Sequence, residues 1–99
     1  MSVVSYRQFC PVAMAAEVLC CRWTLLLVRE LMMGSIRFND LRRGVPRMSS
    51  ALLAKRLKEL EAAGIVERKP PVRAGDAHEY HLTSAGRELR PIVEAIGLW

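Results

Sequence analysis

The chain lacks an apolar run long enough to cross a bilayer. A membrane-spanning helix needs about 20 consecutive apolar residues, and the most apolar stretch, residues 25–33, is interrupted by Arg29 and Glu30. The N-terminal residues also lack a positively charged start followed by an apolar run and a cleavage site. We therefore predict neither a membrane span nor a secretory signal.

Cysteine is scarce, with Cys10, Cys20 and Cys21 the only thiols in 99 residues. Their positions do not form the framework of a small disulfide-rich domain, so we expect free thiols in a reducing cytoplasm. Neither His78 nor His81 completes a zinc-ligand spacing with them. The sequence therefore predicts a cytoplasmic protein without a bound metal.

A recognisable catalytic constellation is missing as well. The two histidines have no nucleophile or carboxylate pair at a useful spacing, and Gly34 and Gly44 are interpreted as helix caps, since they do not form a phosphate-binding loop. We predict that the protein is not an enzyme and needs no cofactor.

The chain does have a high apolar content for its length. Of its 99 residues, 52% are hydrophobic, and a domain of this size buries only roughly 60–65% of its unfolded surface. The surplus apolar surface is most simply covered in a dimer interface. Without internal repeats or low-complexity segments, residues 1–99 are predicted to form a single domain, with residues 1–9 as a flexible arm. The apolar end at Leu98-Trp99 is expected to pack against a partner or to result from truncation.

Positive charge is concentrated in one part of the chain. From Arg37 to Arg73 there are ten Arg or Lys against four Asp or Glu, whereas the remaining residues have five against six. The balances of +6 and −1 add up to the formal net charge of +5. A basic charge confined to one segment favours a polyanionic partner, and double-stranded DNA is the one we expect.

The same segment has the pattern of a winged helix-turn-helix. Leu53, Leu57 and Leu60 recur at helical spacing, and Ser49 or Ser50 is placed to cap the helix that they define. The predicted elements are a strand at 35–38, a helix at 39–43, a proline turn at 44–46, a helix ending at Ala63, and strands at 65–70 and 78–82 that pair around residues 74–76.

Further helices are predicted on both sides of this segment. One covers residues 10–19, and a second, apolar nearly all round, covers residues 23–33 and should form the buried centre. Gly34 is placed to end it in a left-handed conformation. Thr83 should cap a last helix, which Pro91 is expected to kink. The predicted fold class is mainly α with a small β-hairpin, a winged helix-turn-helix.

Several exposed residues are candidates for contact with DNA. The helix after the turn has a small outward face at its N-terminal half, which lets the backbone approach base edges, and lysines beyond it. The alternatives are a solvated basic helix face and a charged hairpin edge that prevents aggregation. The candidates are Arg42, Arg43, Arg47, Ser49, Ser50, Ala51, Lys55, Lys58, Arg68, Lys69 and Arg73.

Cys10 is the one residue with candidate chemistry. It lies at a helix N-terminus, where the partial positive charge stabilises a thiolate, and Arg7 would act in the same direction. An exposed thiolate can form a sulfenic acid, a mixed disulfide or an intersubunit disulfide. The alternative is a small buried residue without chemistry. Cys20 and Cys21 adjoin the apolar second helix and are interpreted as packing residues.

Motifs along most of the chain resemble those of HxlR-type transcriptional regulators. They are Cys10-Pro11-Val12, Arg22-Trp23-Thr24-Leu25-Leu26, Arg29-Glu30-Leu31, Arg37-Phe38-Asn39-Asp40-Leu41, Arg56-Leu57-Lys58-Glu59-Leu60-Glu61, Gly64-Ile65-Val66, Glu79-Tyr80, Leu82-Thr83 and Ala85-Gly86. The resemblance implies a bacterial repressor or activator that binds a palindromic operator as a homodimer, with the first and last helices forming the dimer interface. Some members of the family sense electrophiles or oxidants through a cysteine placed like Cys10.

The chain departs from the family pattern at two places. Cys20 and Cys21 occupy positions where the family usually has small residues, often glycine. Ala51 stands where the family commonly has a basic residue on the outward face of the recognition helix, and losing that contact is expected to weaken DNA binding by roughly 1–3 kcal/mol.

The sequence therefore predicts a homodimeric, cytoplasmic DNA-binding transcriptional regulator, a repressor with Cys10 as its redox-sensing candidate. Two alternatives stay open. One is a regulator that responds to a small apolar or aromatic molecule bound between the dimer helices and the winged domain, without thiol chemistry. The other is a winged helix used only as a protein-interaction module, which would have negligible affinity for duplex DNA even at low salt.

Overall fold

The structure, a computed structural model, describes residues 5–99, so residues 1–4 of the expected arm lie outside it. The elements are α1 (Pro11–Leu19), α2 (Thr24–Met32), α3 (Phe38–Gly44), α4 (Ser50–Ala62), β1 (Val66–Lys69), β2 (Glu79–Leu82), α5 (Ser84–Arg87) and α6 (Arg90–Leu98). This order confirms the predicted fold class. The helix-turn-helix consists of α3 and α4, and the antiparallel pair β1–β2 forms the wing.

The core lies between α2, α4 and the wing. Leucines at 53, 57 and 60 are spaced three or four residues apart, which places them on one face of α4, and all three are buried. Burying each such side chain stabilises the fold by about 1.5–3 kcal/mol. The buried apolar residues are Leu27, Val28, Leu31, Leu41, Val45, Met48, Leu53, Leu57, Leu60, Val66 and Leu89.

The helices α2 and α4 end in the same way, at glycines that the sequence marks as C-terminal caps. Gly34 has φ +99° and Gly64 has φ +77°, a left-handed conformation that costs glycine little. After α4, the amide of Ile65 donates to the carbonyl of Leu60 at 2.9 Å, so one of the last carbonyls of the helix is satisfied. At the other end of α4 the cap is Ser49, whose Oγ accepts from the amide of Leu52 at 3.1 Å.

The wing is a short hairpin with a glycine near its tip. β1 and β2 pair antiparallel with Val66 opposite Leu82 and Lys69 opposite Glu79. Gly75 has φ +90°, which allows the chain to turn tightly between the strands. Val66 is buried, so the base of the hairpin is anchored to the core while its tip extends away from it.

The strand predicted at 35–38 is reduced to a single bridge. Arg37 pairs with Glu79 in an isolated antiparallel bridge, and the amide of Tyr80 donates to the carbonyl of Ile36 at 2.6 Å. The prediction of a full strand was wrong because the chain already enters α3 at Phe38. Asp40 in the first turn of α3 favours an early helix start by complementing the helix dipole.

The kink predicted at Pro91 is instead a break between two helices. Thr83 caps α5, as expected, by accepting from the amide of Gly86 at 3.1 Å. The helix then stops at Arg87, and α6 begins with Pro91 in its first turn. Proline has no N–H to donate to the carbonyl of Arg87, and its ring would crowd that carbonyl, so a new helix start is favoured over a bend.

The two N-terminal helices are strongly apolar, but neither has the length of a span. Within residues 5–99, no single helix is long and apolar enough to cross a membrane. Judged by length and composition alone, α1 and α2 taken together would be long enough for a span, but they are bent by 80° at their junction.

Candidate nucleic-acid interface

The turn between α3 and α4 is fixed by two apolar side chains that point into the core. Val45 and Met48 are both buried, at 2% and 5% exposure. The amide of Met48 donates to the carbonyl of Val45 at 3.0 Å, so the turn also has an internal hydrogen bond. Because these residues face inward, Arg47 between them is exposed to solvent. The turn thus holds α4 at a defined angle to α3.

Helix α4, which we call the recognition helix from its place in the helix-turn-helix, presents a small and then basic face to solvent. Ser50 and Ala51 are exposed in its first turn, and Lys55 and Lys58 are exposed further along. The buried leucines lie on the opposite face. The hydroxyl of Ser49 accepts a helix amide and can still donate its proton. The first turn of the recognition helix carries the positive end of the helix dipole, which favours binding of a phosphate.

Arginines at the end of α3 border an open groove. Asn39, Arg42, Arg43 and Pro46 line it. Arg43 contacts Asp40 at 2.7 Å, and both side chains are largely exposed, at 76% and 42%. An exposed pair of this kind is worth about 0–1 kcal/mol, so the guanidinium can exchange its carboxylate for a phosphate at little cost. The groove therefore offers two cations to an anionic backbone.

The basic residues of the wing do not share one face. Arg68 lies opposite Tyr80, whereas Lys69 lies opposite Glu79. Side chains of successive strand residues point to opposite faces of the hairpin, so Arg68 and Lys69 face different sides. Arg73 lies in the loop before Gly75, and its carbonyl accepts from the amide of Asp76 at 3.2 Å. A single DNA backbone can meet Arg73 together with one of the two strand cations.

All eleven candidate residues are exposed. Those of α3, of the turn and of the recognition helix follow one another within a single helix-turn-helix, and three belong to the wing. On an amphipathic helix, serine and alanine are usually buried only where they face the core. The exposure of Ser50 and Ala51 therefore leaves them available for close approach by a ligand.

Two groups of interacting residues behind this surface were missed by sequence reasoning. Glu79 is buried, and its carboxylate lies 2.8 Å from His81 Nε2 and 3.8 Å from Arg37. The contact with Arg37 attaches the wing to the residue that precedes α3. The available signal was the alternation of the predicted strand, which places Glu79 and His81 on one face and Tyr80 and Leu82 on the other. The contact with Arg37 could not be read from the sequence because Arg37 is distant along the chain.

The second group, Arg29 and Glu30, contacts the end of α3. Arg29 donates to Glu30 through Nε and Nη2, at 3.2 and 3.0 Å, and also donates to the carbonyl of Gly44 at 3.5 Å. A Cβ at Gly44 would overlap the carboxylate of Glu30. The interpretation of Gly44 as a cap is therefore wrong: it is the last residue of α3, and its lack of a side chain makes room for Glu30.

The cysteines occupy three different environments. Cys10 is exposed and is the N-cap residue of α1, as the sequence predicted. Cys20 is also exposed, so its interpretation as a packing residue is wrong; it follows the last residue of α1, and no element within residues 5–99 covers it. Cys21 is half-buried, and its Sγ lies 3.8 Å from the carbonyl of Glu17. Because α1 separates Cys10 from Cys20 by about 15 Å, they cannot form a disulfide within this fold.

A helix-turn-helix followed by a basic wing, with cations along its exposed face, defines a winged-helix DNA-binding protein. Residues 18–99 match the family model described as HxlR-like helix-turn-helix. The chain belongs to this family, and it is a transcriptional regulator and not an enzyme.

Similar proteins agree with this assignment. The chain is 39% identical over 101 residues to YvaP of Bacillus subtilis (strain 168), an uncharacterized HTH-type transcriptional regulator, with 97% of this chain and 90% of YvaP covered. The redox regulator HypR in its oxidized form superimposes with a TM-score of 0.83 at 38% identity, covering 91% of this chain and 93% of HypR. Diamide-treated YodB from B. subtilis superimposes with a TM-score of 0.77 at 34% identity, covering 93% of this chain and 92% of the YodB chain.

Proposed function

We propose that this protein represses transcription by binding a palindromic operator as a homodimer, and that oxidation of Cys10 changes its affinity for DNA. The observation that carries the proposal is the presence of two unlike exposed surfaces. One is the basic face of the helix-turn-helix and the wing. The other is the apolar face of α1 and α6, which bury no residue within the chain.

The basic face is suited to a DNA duplex. The first turn of the recognition helix carries small side chains, so the backbone can come close to base edges in the major groove. Lys55 and Lys58, further along, extend toward phosphates, and Arg42 and Arg43 border the groove beside the turn. Such contacts release counterions, so affinity falls steeply with salt. The wing adds Arg73 for the flanking backbone or minor groove.

The apolar face is suited to a second copy of this chain. On α1, Val12 is 75% exposed and Met14 is 54% exposed; on α6, Ile92 and Ile96 are 47% and 48% exposed. Large apolar side chains left exposed on a helix are typical of an interface. In a symmetric dimer the same face serves both partners, and the two recognition helices can enter successive major grooves about 34 Å apart. That spacing calls for a palindromic operator.

Repression needs no surface beyond these two. A protein that occupies an operator keeps other proteins from the same DNA, so repression follows from occupancy of the operator. A signal then acts by changing the geometry of the two DNA-binding halves across the dimer interface. Cys10 lies at the start of α1, one of the helices of that proposed interface.

Cys10 is placed to respond to an oxidant. It is exposed, and it is the N-cap residue of α1. The similar structures include a protein named as a redox regulator and one treated with diamide. Because Cys20 is out of reach within the chain, oxidation of Cys10 yields a sulfenic acid, a mixed disulfide with a small thiol, or a disulfide with the partner subunit.

The experiment is a selection of binding sites from random duplex DNA, made with reduced and with diamide-treated protein. We expect both samples, or the reduced sample alone, to enrich a palindrome, and we expect affinities to differ by at least about fivefold. Cys10→Ser should remove the difference. Cys20→Ser, which changes another exposed thiol, is the matched control and should keep the difference.

The outcomes separate the parts of the proposal. Failure of every sample to enrich a palindrome would contradict operator binding and favour the protein-interaction module. Enrichment with equal affinities before and after diamide would contradict the redox part, and the regulator responding to a small apolar or aromatic molecule would then be favoured.

A further inference from the structure

The junction between α1 and α2, residues 20–23, holds a residue in an unfavourable backbone conformation. Trp23 has φ +77°, which places a bulky side chain in the left-handed region that favours glycine. The guanidinium of Arg22 lies 5.5 Å from the centroid of the Trp23 ring, within the range of a cation–π contact. Such a conformation persists only where surrounding contacts hold it. We call these four residues the α1–α2 corner.

One of the holding contacts comes from the recognition helix. Arg56 Nε donates to the carbonyl oxygen of Arg22 at 2.9 Å, across 34 residues of sequence. The same side chain donates through Nη1 to both carboxylate oxygens of Glu59, at 3.0 and 3.3 Å. Only 11% of the Arg56 side chain and 16% of the Glu59 side chain are exposed. The guanidinium therefore faces the corner, away from solvent.

The neighbouring cations of the same helix behave differently. Lys55 and Lys58 are exposed, whereas Arg56 between them is largely covered. The positive charge of the recognition helix is thus divided between residues that face outward and one that faces inward. Arg56 adds to the net charge of the helix without being placed to contact a phosphate.

A directional contact at this place has a specific consequence for the helix. The buried face of α4 consists of leucines, whose close packing holds the helix through contacts that have no preferred direction of their own. A hydrogen bond from a guanidinium to a fixed backbone carbonyl is directional. Lysine could pair with Glu59, but it lacks the planar fork that serves both partners at once.

We propose that Arg56 is a positioning residue for DNA recognition: by bonding the carbonyl of Arg22 it fixes the rotation of the recognition helix against the α1–α2 corner. The inference rests on the proposed function in so far as α4 is the helix that meets DNA. It adds that the corner, next to the helix that Cys10 caps, determines how the recognition helix is presented.

The test compares Arg56→Lys and Arg56→Gln with Lys55→Gln, a matched control one residue away. Affinity for a duplex is measured over a range of salt concentrations, at temperatures well below the unfolding transition of each variant. We expect both Arg56 variants to lose about tenfold in affinity at every salt concentration with an unchanged salt slope. Lys55→Gln, which removes an exposed cation, should reduce the slope by about 0.9.

Two results of this titration would overturn the inference. A slope that falls by about one unit in Arg56→Gln while Arg56→Lys keeps the wild-type slope would make Arg56 a phosphate contact. An unchanged affinity, with only a lower unfolding temperature, would make its role merely structural. Arg56→Lys keeps the charge beside Glu59, so it provides a folded variant even where Arg56→Gln does not fold.

A second measurement needs no DNA and separates this inference from the proposed function. In ¹H–¹⁵N spectra of Arg56→Lys, the amides of residues 50–53 and of Trp23 should shift, because the helix start and the corner reorient together. Amides of the wing tip, residues 73–76, are the internal reference and should not move. If wild-type protein fails to bind duplex but these shifts occur, the function is wrong and the positioning role stands. Unshifted amides at 50–53 would contradict the positioning role itself.

Discussion

Helices α4 and α6 are both amphipathic, yet their apolar faces have different environments. α4 buries Leu53, Leu57 and Leu60 against the rest of the chain, whereas α6 buries no residue and leaves Ile92 and Ile96 about half exposed. An apolar stripe on a helix thus predicts that its side chains need to be buried, but it does not predict whether the same chain or a second copy covers them. We interpret the α4 face as the core of the DNA-binding domain and the α6 face as a surface for a second copy.

The largest effect should come from the α4 face. Leu57→Ala removes a side chain that is 1% exposed, and the cavity that it leaves should lower the free energy of unfolding by about 2–5 kcal/mol. Denaturant unfolding at low protein concentration measures this. Ile96→Ala is the control from α6 and should cost under about 1 kcal/mol in the same assay, since its side chain is 48% exposed. Equal losses would remove the distinction between the two faces.

The second effect should come from the α6 face and appear in assembly. Ile96→Asp places a charge in the proposed dimer interface, and we expect dimerisation to weaken by at least about thirtyfold. Sedimentation velocity measures the dimer dissociation constant, and far-ultraviolet circular dichroism should show an unchanged helix content. Glu94→Asp is a control on the same helix that adds no charge. A variant that dimerises like the wild type would exclude α6 from the interface.

A smaller effect is expected at the start of the recognition helix. Ser49→Ala removes the oxygen that accepts from the amide of Leu52, and loss of such a cap costs about 1 kcal/mol. Ser50→Ala, one residue further along, removes a hydroxyl that is not the cap and should change stability by less than half as much. Thermal unfolding of the two variants measures both losses of stability. A larger loss in Ser50→Ala than in Ser49→Ala would contradict the observed cap.

The smallest effect concerns the exposed pair at the end of α3. Asp40→Asn removes the carboxylate that contacts Arg43 at 2.7 Å, and the free energy of unfolding should change by less than about 1 kcal/mol. Because Arg43 then has no competing carboxylate, affinity for duplex DNA should stay equal or rise. A marked fall in affinity at unchanged stability would show that Asp40 orients Arg43 for its contact.

Features that depend on local chemistry were predictable from the sequence. Gly34 and Gly64 end α2 and α4 as expected, because a left-handed residue after a helix is a local requirement that glycine meets. The buried face of α4 was also predicted, because the spacing of its leucines is a local property of the sequence. The wing was also predicted, although its strands are shorter than expected, since alternation and turn residues define a hairpin over a short stretch.

Features that depend on distant partners were not predictable. The one bridge that remains of the strand predicted at 35–38 joins Arg37 to Glu79, which lies more than forty residues away, so the local sequence could not show how far this pairing extends. The steric role of Gly44 depends on the position of the Glu30 carboxylate. The exposure of Cys20 depends on what packs at the end of α1. The inward orientation of Arg56 likewise could not be distinguished from that of its lysine neighbours.

The most direct test of operator binding by a dimer is a titration of the selected palindromic duplex with reduced protein, followed by sedimentation at several salt concentrations. We predict two chains per duplex and an affinity that falls steeply and log-linearly with salt, because the exposed cations of the helix-turn-helix and the wing meet phosphates. One chain per duplex, or an affinity that does not change with salt, would contradict it.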